Sequence, residues 1–374
     1  MKNNKMNIVV VSISIVILIG FILVGDFNSV IQTLKNSQPV WILVSFLCIL
    51  FYWLLEGIVL FIMIKKLNGS VKFKDIFKTT MLGQFFNCTT PFASGGQPMQ
   101  AYHMSTYGVS VGTATSALIA KFIVYQSVLT VYSLALIFFN IGFFNEGIPG
   151  FKILVIIGFI VNLIVVAFLF SVSLFKNPTK KLFYGIIKFL HKIHIIKNLD
   201  FRLKQVDDEV DKFYENFKII KKQKKELFNM AILTVIQLTA YFAIPFFIYL
   251  GFGLNTIVSD VAVVSLQGFF IMISAQGFVL MISSFFPLPG AMGASEFSFF
   301  SFFKMFFGQS VSTAMIIWRF YTFYLPIIIG AFFSVKIDKN KKVKKDKKVK
   351  KDKKAKKNKK VLISKAESSE NLCE

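Results

Sequence analysis

The sequence has few cysteines, few histidines and few acidic residues. Its three cysteines are scattered, so they predict neither a disulfide framework nor a metal-ligand cluster. Of the three histidines, His191 and His194 share a helix face within a lysine-rich segment, which favours solvated side chains over a metal site. Only 19 acidic residues stand against 43 basic ones. The sequence therefore predicts no metal and no cofactor, and its charge is strongly positive.

Apolar residues dominate the chain, at 55% of the composition with a mean hydropathy of +0.64. Seven apolar runs are long enough to cross about 30 Å of hydrocarbon. They cover roughly residues 7–25, 40–64, 113–139, 151–175, 228–250, 257–285 and 310–335. The first run follows Lys2 and Lys5 but lacks a small-residue cleavage site, so we interpret it as an uncleaved anchor. The sequence predicts an all-α polytopic membrane protein.

Basic residues predict the orientation in the membrane. Lysines cluster after the second run, between Lys65 and Lys78. Residues 176–226 carry 14 basic against 7 acidic residues, and residues 336–360 carry 16 lysines against 3 aspartates. Because basic loops stay on the cytoplasmic side, we expect a multi-pass protein of the cell membrane with both termini cytoplasmic.

Two Pro- and Gly-rich breaks interrupt this pattern, within residues 76–112 and 285–308. Broken backbone at membrane depth is tolerated only where protein packs around it or a wet cavity opens. Seven crossings from a cytoplasmic N-terminus would leave the basic tail outside, so one break must also cross. If the first break crossed, the basic loop of residues 176–226 would be external. We therefore expect the first break to dip in and return, and the second break to cross. This gives about eight transmembrane helices.

We divide the chain into a transmembrane domain, residues 1–335, and a disordered lysine-rich cytoplasmic tail, residues 336–374. The tail is expected to be attracted to anionic lipid, without specific nucleic-acid binding. Within the domain lies a cytoplasmic amphipathic insert, residues 176–227. Its first half has an apolar helix face typical of an interfacial helix: Leu182, Ile186, Phe189, Leu190, Ile193 and Ile196. Its second half has another: Val206, Val210, Phe213, Phe217 and Ile220. Both a topology-setting role and a regulatory role remain open.

Three charged residues fall inside apolar runs, where an unpaired charge costs several kcal/mol. A rise of about 1.5 Å per residue places Glu56 and Lys121 at the same depth, about 12 Å from the cytoplasmic ends of their helices. An ion pair between them would either clip two helices together or hold a charged group of a ligand. Arg319 lies nine residues from the outer end of the last run, and suits binding of a phosphate or carboxylate unless it snorkels to the headgroups.

The first break, TTPFASGGQPMQAYH, contains Gly95, Gly96, Gln97 and Pro98. The glycines free the backbone, and Pro98 is placed where a helix would want its first residue. A helix beginning inside the bundle would direct unpaired N–H groups and the positive end of its dipole toward an anionic group such as a lipid phosphate. The sequence therefore predicts an anion-binding helix start here.

The second break, PLPGAMGASE, places Gly290 and Gly293 before Glu296. Glu296 is predicted in the first turn of a Phe-rich helix, either as a carboxylate stabilised by the helix dipole or as a functional group. Several amide side chains near the breaks either extend a polar path or form interhelical hydrogen bonds: Gln84, Asn87, Gln100, Gln126, Gln267 and Gln276.

Together the two breaks carry a family resemblance. The early element is P-x-x-x-G-G-Q-P, residues 91–98, and the late one is P-x-P-G-x-x-G-x-x-E, residues 287–296. Over residues 7–335 the chain resembles the membrane domain of lysylphosphatidylglycerol synthetase/flippase proteins of the MprF type and of the wider flippase-like group. Two departures are visible, since Ala291 replaces the usual second glycine of the late element and an arginine often present in the early one is missing.

The resemblance implies two activities in full-length family members. A cytosolic domain transfers lysine from lysyl-tRNA to phosphatidylglycerol, and the membrane part moves the product to the outer leaflet. Of the 39 residues after position 335, 17 are lysine, and a segment of this composition cannot bury a core, so we do not expect the transferase activity here. Expected partners are membrane phospholipids with anionic headgroups and a separate soluble aminoacyltransferase.

The leading hypothesis is a phospholipid translocase that moves an anionic or aminoacylated phospholipid, such as lysylphosphatidylglycerol, between leaflets. Its expected substrate-binding residues are Gly95, Gly96, Gln97, Gly290, Gly293, Glu296, Glu56, Lys121 and Arg319. Glycines and helix starts would take the phosphate with Lys121 or Arg319, and a glutamate would take an ammonium. With no G-x-x-x-x-G-K loop, transport would be passive or ion-coupled. The alternatives are a phosphatidylglycerol lysyltransferase-type enzyme or its membrane subunit, and a membrane scaffold with a recruiting basic tail.

Overall fold

A computed structural model describes residues 27–147, 151–192, 198–284 and 286–333. The expected first span, residues 193–197 of the amphipathic insert and the lysine-rich tail lie outside these residues. The helices are α1 (Phe27–Asn36), α2 (Pro39–Asn68), α3 (Phe73–Thr89), α4 (Gly96–Ser105), α5 (Val111–Phe139), α6 (Ile141–Gly147), α7 (Phe151–Leu174), α8 (Lys176–Lys192), α9 (Leu199–Lys222), α10 (Lys224–Phe242), α11 (Ile244–Gly251), α12 (Leu266–Ser283), α13 (Ala294–Phe307) and α14 (Val311–Arg319).

Short irregular elements join these helices. Single 3₁₀ turns cover Pro91–Ala93, Pro289–Ala291 and Gly308–Ser310. A π-helical turn, Phe320–Tyr324, continues α14, and residues 325–333 return to α-helix. Two-residue strands, β1 (Ile257–Val258) and β2 (Val261–Ala262), pair antiparallel. Pro245 near the start of α11 removes a backbone donor, which accounts for the break between α10 and α11.

The fold class predicted from the sequence is confirmed. Six helical segments among the described residues are long and apolar enough to cross a bilayer. Five of the predicted runs, 40–64, 113–139, 151–175, 228–250 and 310–335, coincide with helices to within a few residues. These helices are apolar around most of their circumference, as expected where one side faces lipid and the other faces neighbouring helices.

One end of the bundle collects the basic connections, and we call it the basic end. Helix α2 ends there with Lys65 and Lys66, and the Lys66 Nζ lies 2.9 Å from a carboxylate oxygen of Glu226 at the start of α10. Helix α5 also begins there, since the Gly112 N–H donates to the Glu209 carboxylate of α9 at 2.5 Å. Helices α2, α5 and α10 therefore share this end.

Helices α3 and α4 form a hairpin that starts and ends at the basic end. We call residues 73–105 hairpin A. The two helices run antiparallel, because the Thr79 Oγ1 of α3 lies 2.7 Å from the His103 Nδ1 of α4 and 3.0 Å from the Tyr107 hydroxyl just beyond it. The tip, Pro91–Ala93, contacts the turn Pro289–Ala291 of the second break, and its residues are exposed. The expectation that the first break dips in and returns agrees with this arrangement.

The opposite end of the bundle is defined by the start of α2 and the end of α11. The Gln38 N–H donates to the Gly251 carbonyl at 2.6 Å. The Thr256 hydroxyl, just beyond α11, donates to the Phe306 carbonyl at the end of α13, at 3.4 Å. The Asn140 amide after α5 donates to the Ser274 hydroxyl of α12 at 3.0 Å.

The second break differs from the expected crossing. Helix α12 enters from the opposite end, the chain turns at Pro289–Ala291, and α13 returns to the end where α12 began. The rings of Phe278 and Phe302 pack 4.7 Å apart between these two helices. We call residues 266–307 hairpin B. Residues 285–308 therefore return instead of crossing, and the run 257–285 supplies only the entering half of a hairpin.

The tips of hairpins A and B meet and share one backbone conformation. Each tip begins with proline, and the next residue has φ 55°, ψ 21° at Phe92 and φ 60°, ψ 18° at Gly290. The third residue is alanine in both, with φ 51° at Ala93 and 52° at Ala291. The tripeptides Pro91–Ala93 and Pro289–Ala291 are therefore structural equivalents, whereas the residues after them differ, with φ of −81° at Gly95 and 83° at Gly293.

The helices that flank the two hairpins extend this equivalence. Hairpin A lies between α2 and α5, and hairpin B lies between α10–α11 and α14. Helix α2 runs toward the basic end, whereas α10–α11 runs away from it, so the second unit is inverted relative to the first. Inverted repeats built around broken helices are a common architecture of secondary transporters.

Helices α8 and α9 lie at the basic end as an antiparallel pair. Lys180 of α8 bridges Asp207 and Asp211 of α9, each at 2.8 Å. The predicted apolar face of α9 is buried, and Phe213, Phe217 and their neighbours pack with α5 residues in one core cluster. The apolar face of α8 remains exposed at Leu182, Ile186 and Phe189, as an interfacial helix requires.

Candidate functional site

Two adjacent chambers, which share part of their lining and which we treat together as one cavity, lie beside the tip of hairpin A, and the smaller one also touches the tip of hairpin B. The larger chamber has a volume of about 630 Å³ and reaches to Glu56 and Lys121. The smaller has a volume of about 210 Å³ and reaches to Ser295 and Arg319. Both are lined by the hairpin A tip and by one shared set of residues: Asn87, Phe92, Ala93, Tyr241, Leu280, Ser284 and Thr322. Each chamber therefore ends at one buried cation.

The ion pair expected from helix depth is present in the larger chamber. The Lys121 Nζ donates to the Glu56 Oε1 at 2.6 Å, and the Gln84 amide of hairpin A donates to the other carboxylate oxygen. The side chains of Glu56 and Lys121 are only 10% and 12% exposed. The pair joins α2, α5 and hairpin A, and both of its residues line the chamber.

A second buried ion pair closes the smaller chamber, and spacing in the sequence did not indicate it. The Arg319 Nε donates to the Glu296 Oε1 at 2.6 Å. The other Glu296 oxygen accepts from the Gly293 N–H at 2.7 Å and from the Ser295 hydroxyl at 3.2 Å. The expectation that Glu296 lies in the first turn of a Phe-rich helix is confirmed, because α13 begins at Ala294.

Arg319 is held on several sides. Its Nη2 donates to the Gly290 carbonyl at 3.1 Å and to the Ser295 hydroxyl. Its guanidinium lies 5.2 Å and 5.3 Å from the ring centroids of Trp318 and Phe323. Arg319 is 6% exposed, so it does not reach the surface as a snorkelling side chain would. The π-helical turn that follows it is of a kind often found at functional sites.

Trp318 contributes to the wall of the smaller chamber and has a buried indole donor without a partner. Trp318 lines this chamber and is 2% exposed, and its Nε1 makes no hydrogen bond within the described residues. An indole N–H and a guanidinium only donate hydrogen bonds. A buried donor without an acceptor costs about 1–3 kcal/mol.

The glycines of the first break allow close packing of the chain, and the Gly95 N–H is not available to a ligand. Helix α4 begins at Gly96, two residues before the expected Pro98. The Gly95 N–H is already bonded to the Thr90 hydroxyl at 2.8 Å, so it is not directed at a ligand. A Cβ at Gly96 would overlap the Asn87 amide and approach the Gly83 carbonyl at 2.8 Å. Gly96 thus permits close packing of the hairpin A helices.

The glycines of the second break shape the turn at the tip of hairpin B. Gly290 has a positive φ, and a Cβ there would also overlap the ring of Phe323. The Gly293 N–H is bonded to Glu296, so the protein's own carboxylate occupies the anion position at this helix start. The predicted role of these glycines as direct phosphate ligands is therefore not supported by the geometry, whereas Glu296 and Arg319 do meet there.

The predicted polar path divides into two groups. Gln84, Asn87, Gln97, Gln100 and Gln126 line the larger chamber. Gln126 also donates to Asn162 of α7, which is an interhelical hydrogen bond. Gln267 is exposed at the start of α12, and Gln276 is fully buried with neither amide atom bonded among the described residues. Tyr52, Tyr125 and Tyr241 also line the chamber and were not singled out from the sequence.

These features define a class: an all-α polytopic membrane protein with two opposed hairpins that meet at a charged internal cavity. A family model described as "Lysylphosphatidylglycerol synthase TM region" matches residues 9–330, and the chain belongs to that family. It is 24% identical over 309 residues to a UPF0104 membrane protein of Archaeoglobus fulgidus, covering 80% of this chain and 87% of that protein. It is 26% identical over 217 residues to a UPF0104 membrane protein of Methanocaldococcus jannaschii, covering 57% and 62%.

Proposed function

We propose that this protein is a phospholipid translocase, which moves a lipid bearing both a phosphate and an ammonium, such as an aminoacylated phosphatidylglycerol, between leaflets. The observation that carries the proposal is that two buried ion pairs, Glu56–Lys121 and Glu296–Arg319, adjoin two neighbouring chambers between two opposed hairpins: Glu56 and Lys121 line the larger chamber, and Arg319 lines the smaller. The family description, which names lysylphosphatidylglycerol, supports the choice of substrate class.

The charges of such a headgroup complement those of the cavity. Buried charges are tolerated when each has a partner, and breaking one pair without replacement costs about 3–5 kcal/mol. A headgroup that carries both signs replaces each partner that it displaces, because its phosphate takes the cation and its ammonium takes the carboxylate. We propose that the Trp318 indole, in the wall of the smaller chamber, donates to the phosphate of the bound lipid. Asn87 and Tyr241 line both chambers.

The inverted repeat supplies a route between leaflets. Hairpin A enters from the basic end and hairpin B from the opposite end, and their tips touch between the two chambers. Withdrawal of one hairpin at a time would open the cavity to one side only, which is alternating access. The acyl chains would remain in the bilayer while the headgroup passes the tips. Each gate carries a polar or charged contact of the site, Gln84 on hairpin A and Glu296 on hairpin B.

The test is leaflet exposure of labelled lipids in proteoliposomes, with wild type beside Glu296→Gln. Labelled aminoacylated phosphatidylglycerol and plain phosphatidylglycerol are the probes, and mass spectrometry afterwards identifies every lipid species. We expect translocation of the aminoacylated lipid by wild type and its loss in the variant. The double variant Glu296→Gln/Arg319→Gln removes both charges, and we expect it to recover stability without recovering transport.

The matched control is Glu226→Gln, which removes a carboxylate from an ion pair at the basic end, away from the cavity. It should transport as wild type does. Equal leaflet exposure with and without wild-type protein would overturn the proposal. A new lipid species with unmoved label would instead establish a lipid-modifying transferase.

A further inference from the structure

A separate apolar cavity lies near the basic end, between α5, α7, α9 and α10. Its volume is about 360 Å³. The lining residues are Ala120, Ile123, Val124, Ser127, Val128, Phe170, Leu174, Phe217, Ile220, Lys221, Leu227 and Ala231. Ser127 and Lys221 are the polar members of this set. No residue of this lining is shared with the two chambers between the hairpins.

The size and lining of this cavity suit hydrocarbon. Apolar walls without contacting atoms lose dispersion energy, and this cavity is half open, so a molecule from the surrounding bilayer can enter and fill it. Water is a poor occupant because it needs two to four polar partners, and the walls offer few. At roughly 30 Å³ for each water-sized group, the volume accommodates about a dozen methylene groups. A phospholipid acyl chain has the required shape and length.

Lys221 places a positive charge at this cavity. Residues 218–225 contain five lysines, and Lys221 is the one that lines the cavity. The neighbouring acidic side chain Glu226 is bonded to Lys66 at 2.9 Å, so it does not neutralise Lys221. Basic pockets between membrane helices attract anionic lipid headgroups. A single anionic phospholipid complements both features, because its acyl chain fits the apolar walls and its phosphate pairs with the cation.

We infer that this cavity is a binding site for one anionic phospholipid, with an acyl chain between α5, α7 and α10 and the phosphate at Lys221. The site is independent of the proposed translocation path. Its lining residue Ala120 precedes Lys121 directly on α5, and Ile123 and Val124 follow within one turn. A bound lipid would therefore support the part of α5 that presents Lys121 to Glu56.

The test uses detergent-purified full-length protein, stripped of lipid and titrated with phosphatidylglycerol or phosphatidylcholine under native mass spectrometry. We expect one tightly retained phosphatidylglycerol and weaker retention of phosphatidylcholine. Lys221→Gln should weaken retention of phosphatidylglycerol by about fivefold, since one lysine near an anionic headgroup contributes roughly that factor. Lys222→Gln is the matched control, because Lys222 is exposed, as Lys221 is, but does not line the cavity; it should bind as wild type does.

Substitutions that fill the cavity test whether a lipid acyl chain occupies it. Ala231→Phe should abolish retention, and the smaller change Val124→Leu should reduce it in a protein that still folds. Phosphatidylglycerol with a diazirine on its acyl chain should label the wall peptides 120–128 and 170–174 of the wild type. Unchanged retention in the filled variants, equal effects of the two lysine variants, or labelling spread evenly over the lipid-facing helices would overturn the site. None of these readouts depends on transport.

Discussion

Phe92 and Gly290 have the same backbone conformation at the tips of two hairpins that enter the bundle from opposite ends, with φ of 55° and 60°. This left-handed region suits glycine and costs other residues about 1–2 kcal/mol. Ala291 also has a positive φ of 52°. The hairpin tips of this chain therefore contain strain that glycine would relieve.

Substitution by glycine at the tips should stabilise the protein. We expect Ala291→Gly to raise the free energy of unfolding by about 1 kcal/mol, because glycine adopts positive φ without a steric penalty. Gly290→Ala should have the opposite effect, since its Cβ would overlap Phe323. Thermal unfolding in detergent measures both. Ser94→Gly, at a negative φ of −76°, is the control and should give no stabilisation.

Reversing the pair Glu56–Lys121 should separate its two interpretations. Glu56→Lys/Lys121→Glu retains an ion pair between α2 and α5, and the Gln84 amide can rotate to follow either partner. If the pair only clips helices together, the reversed protein will transport lipid normally. We expect near-normal thermal stability with transport reduced at least tenfold, because the headgroup would meet charges of the wrong sign. Each single variant should be less stable than the reversed pair.

Removing the indole donor should affect binding and stability in opposite directions. Trp318→Phe eliminates a buried N–H that has no partner among the described residues, so we expect unchanged or slightly greater stability. If that N–H binds the lipid phosphate, the lipid concentration for half-maximal transport should rise several-fold. Unfolding temperature and concentration-dependent transport in proteoliposomes provide the two readouts. Loss of stability together with unchanged transport would contradict a phosphate-binding role.

The pairing of α8 with α9 should depend on pH. Hydrogen bonds from Lys180 hold the pKa of Asp207 and of Asp211 below their ordinary value of 3.8. The stability that these carboxylates contribute is present above that value and is lost as pH falls through their lower folded-state pKa. The same bonds raise the pKa of Lys180 above its ordinary value of 10.5, so its contribution is present below 10.5 and lost as pH rises further.

Limited proteolysis of residues 176–222 between pH 2 and pH 7 measures this dependence. We expect protection at neutral pH and faster cleavage only at strongly acidic pH. Lys180→Gln should remove most of the protection and flatten the pH profile, while Lys188→Gln, on the same helix, should leave it unchanged. A profile that is identical in Lys180→Gln and wild type would contradict the ion-pair network.

Local features determined much of the fold and part of the site. Hydropathy located the helices because a lipid-facing helix must be apolar over its whole length. Helical rise alone placed Glu56 and Lys121 at equal depth, and their pair is present at 2.6 Å. Glu296 was placed in a first helical turn by the glycines before it, and α13 begins two residues earlier. The two broken motifs also carried the family assignment.

Only the tertiary structure decided the path of the second break and the partner of Arg319. A pair of helices that crosses the membrane twice and a hairpin that does not cross it leave the following chain on the same side. The placement of basic loops therefore cannot distinguish the two arrangements. Hydropathy cannot either, because both halves of hairpin B are buried and apolar. Arg319 meets Glu296 because α13 turns back against α14, a contact set by long-range packing rather than by local pattern. The cavity between the hairpins exists for the same reason, since its walls come from segments far apart in the chain.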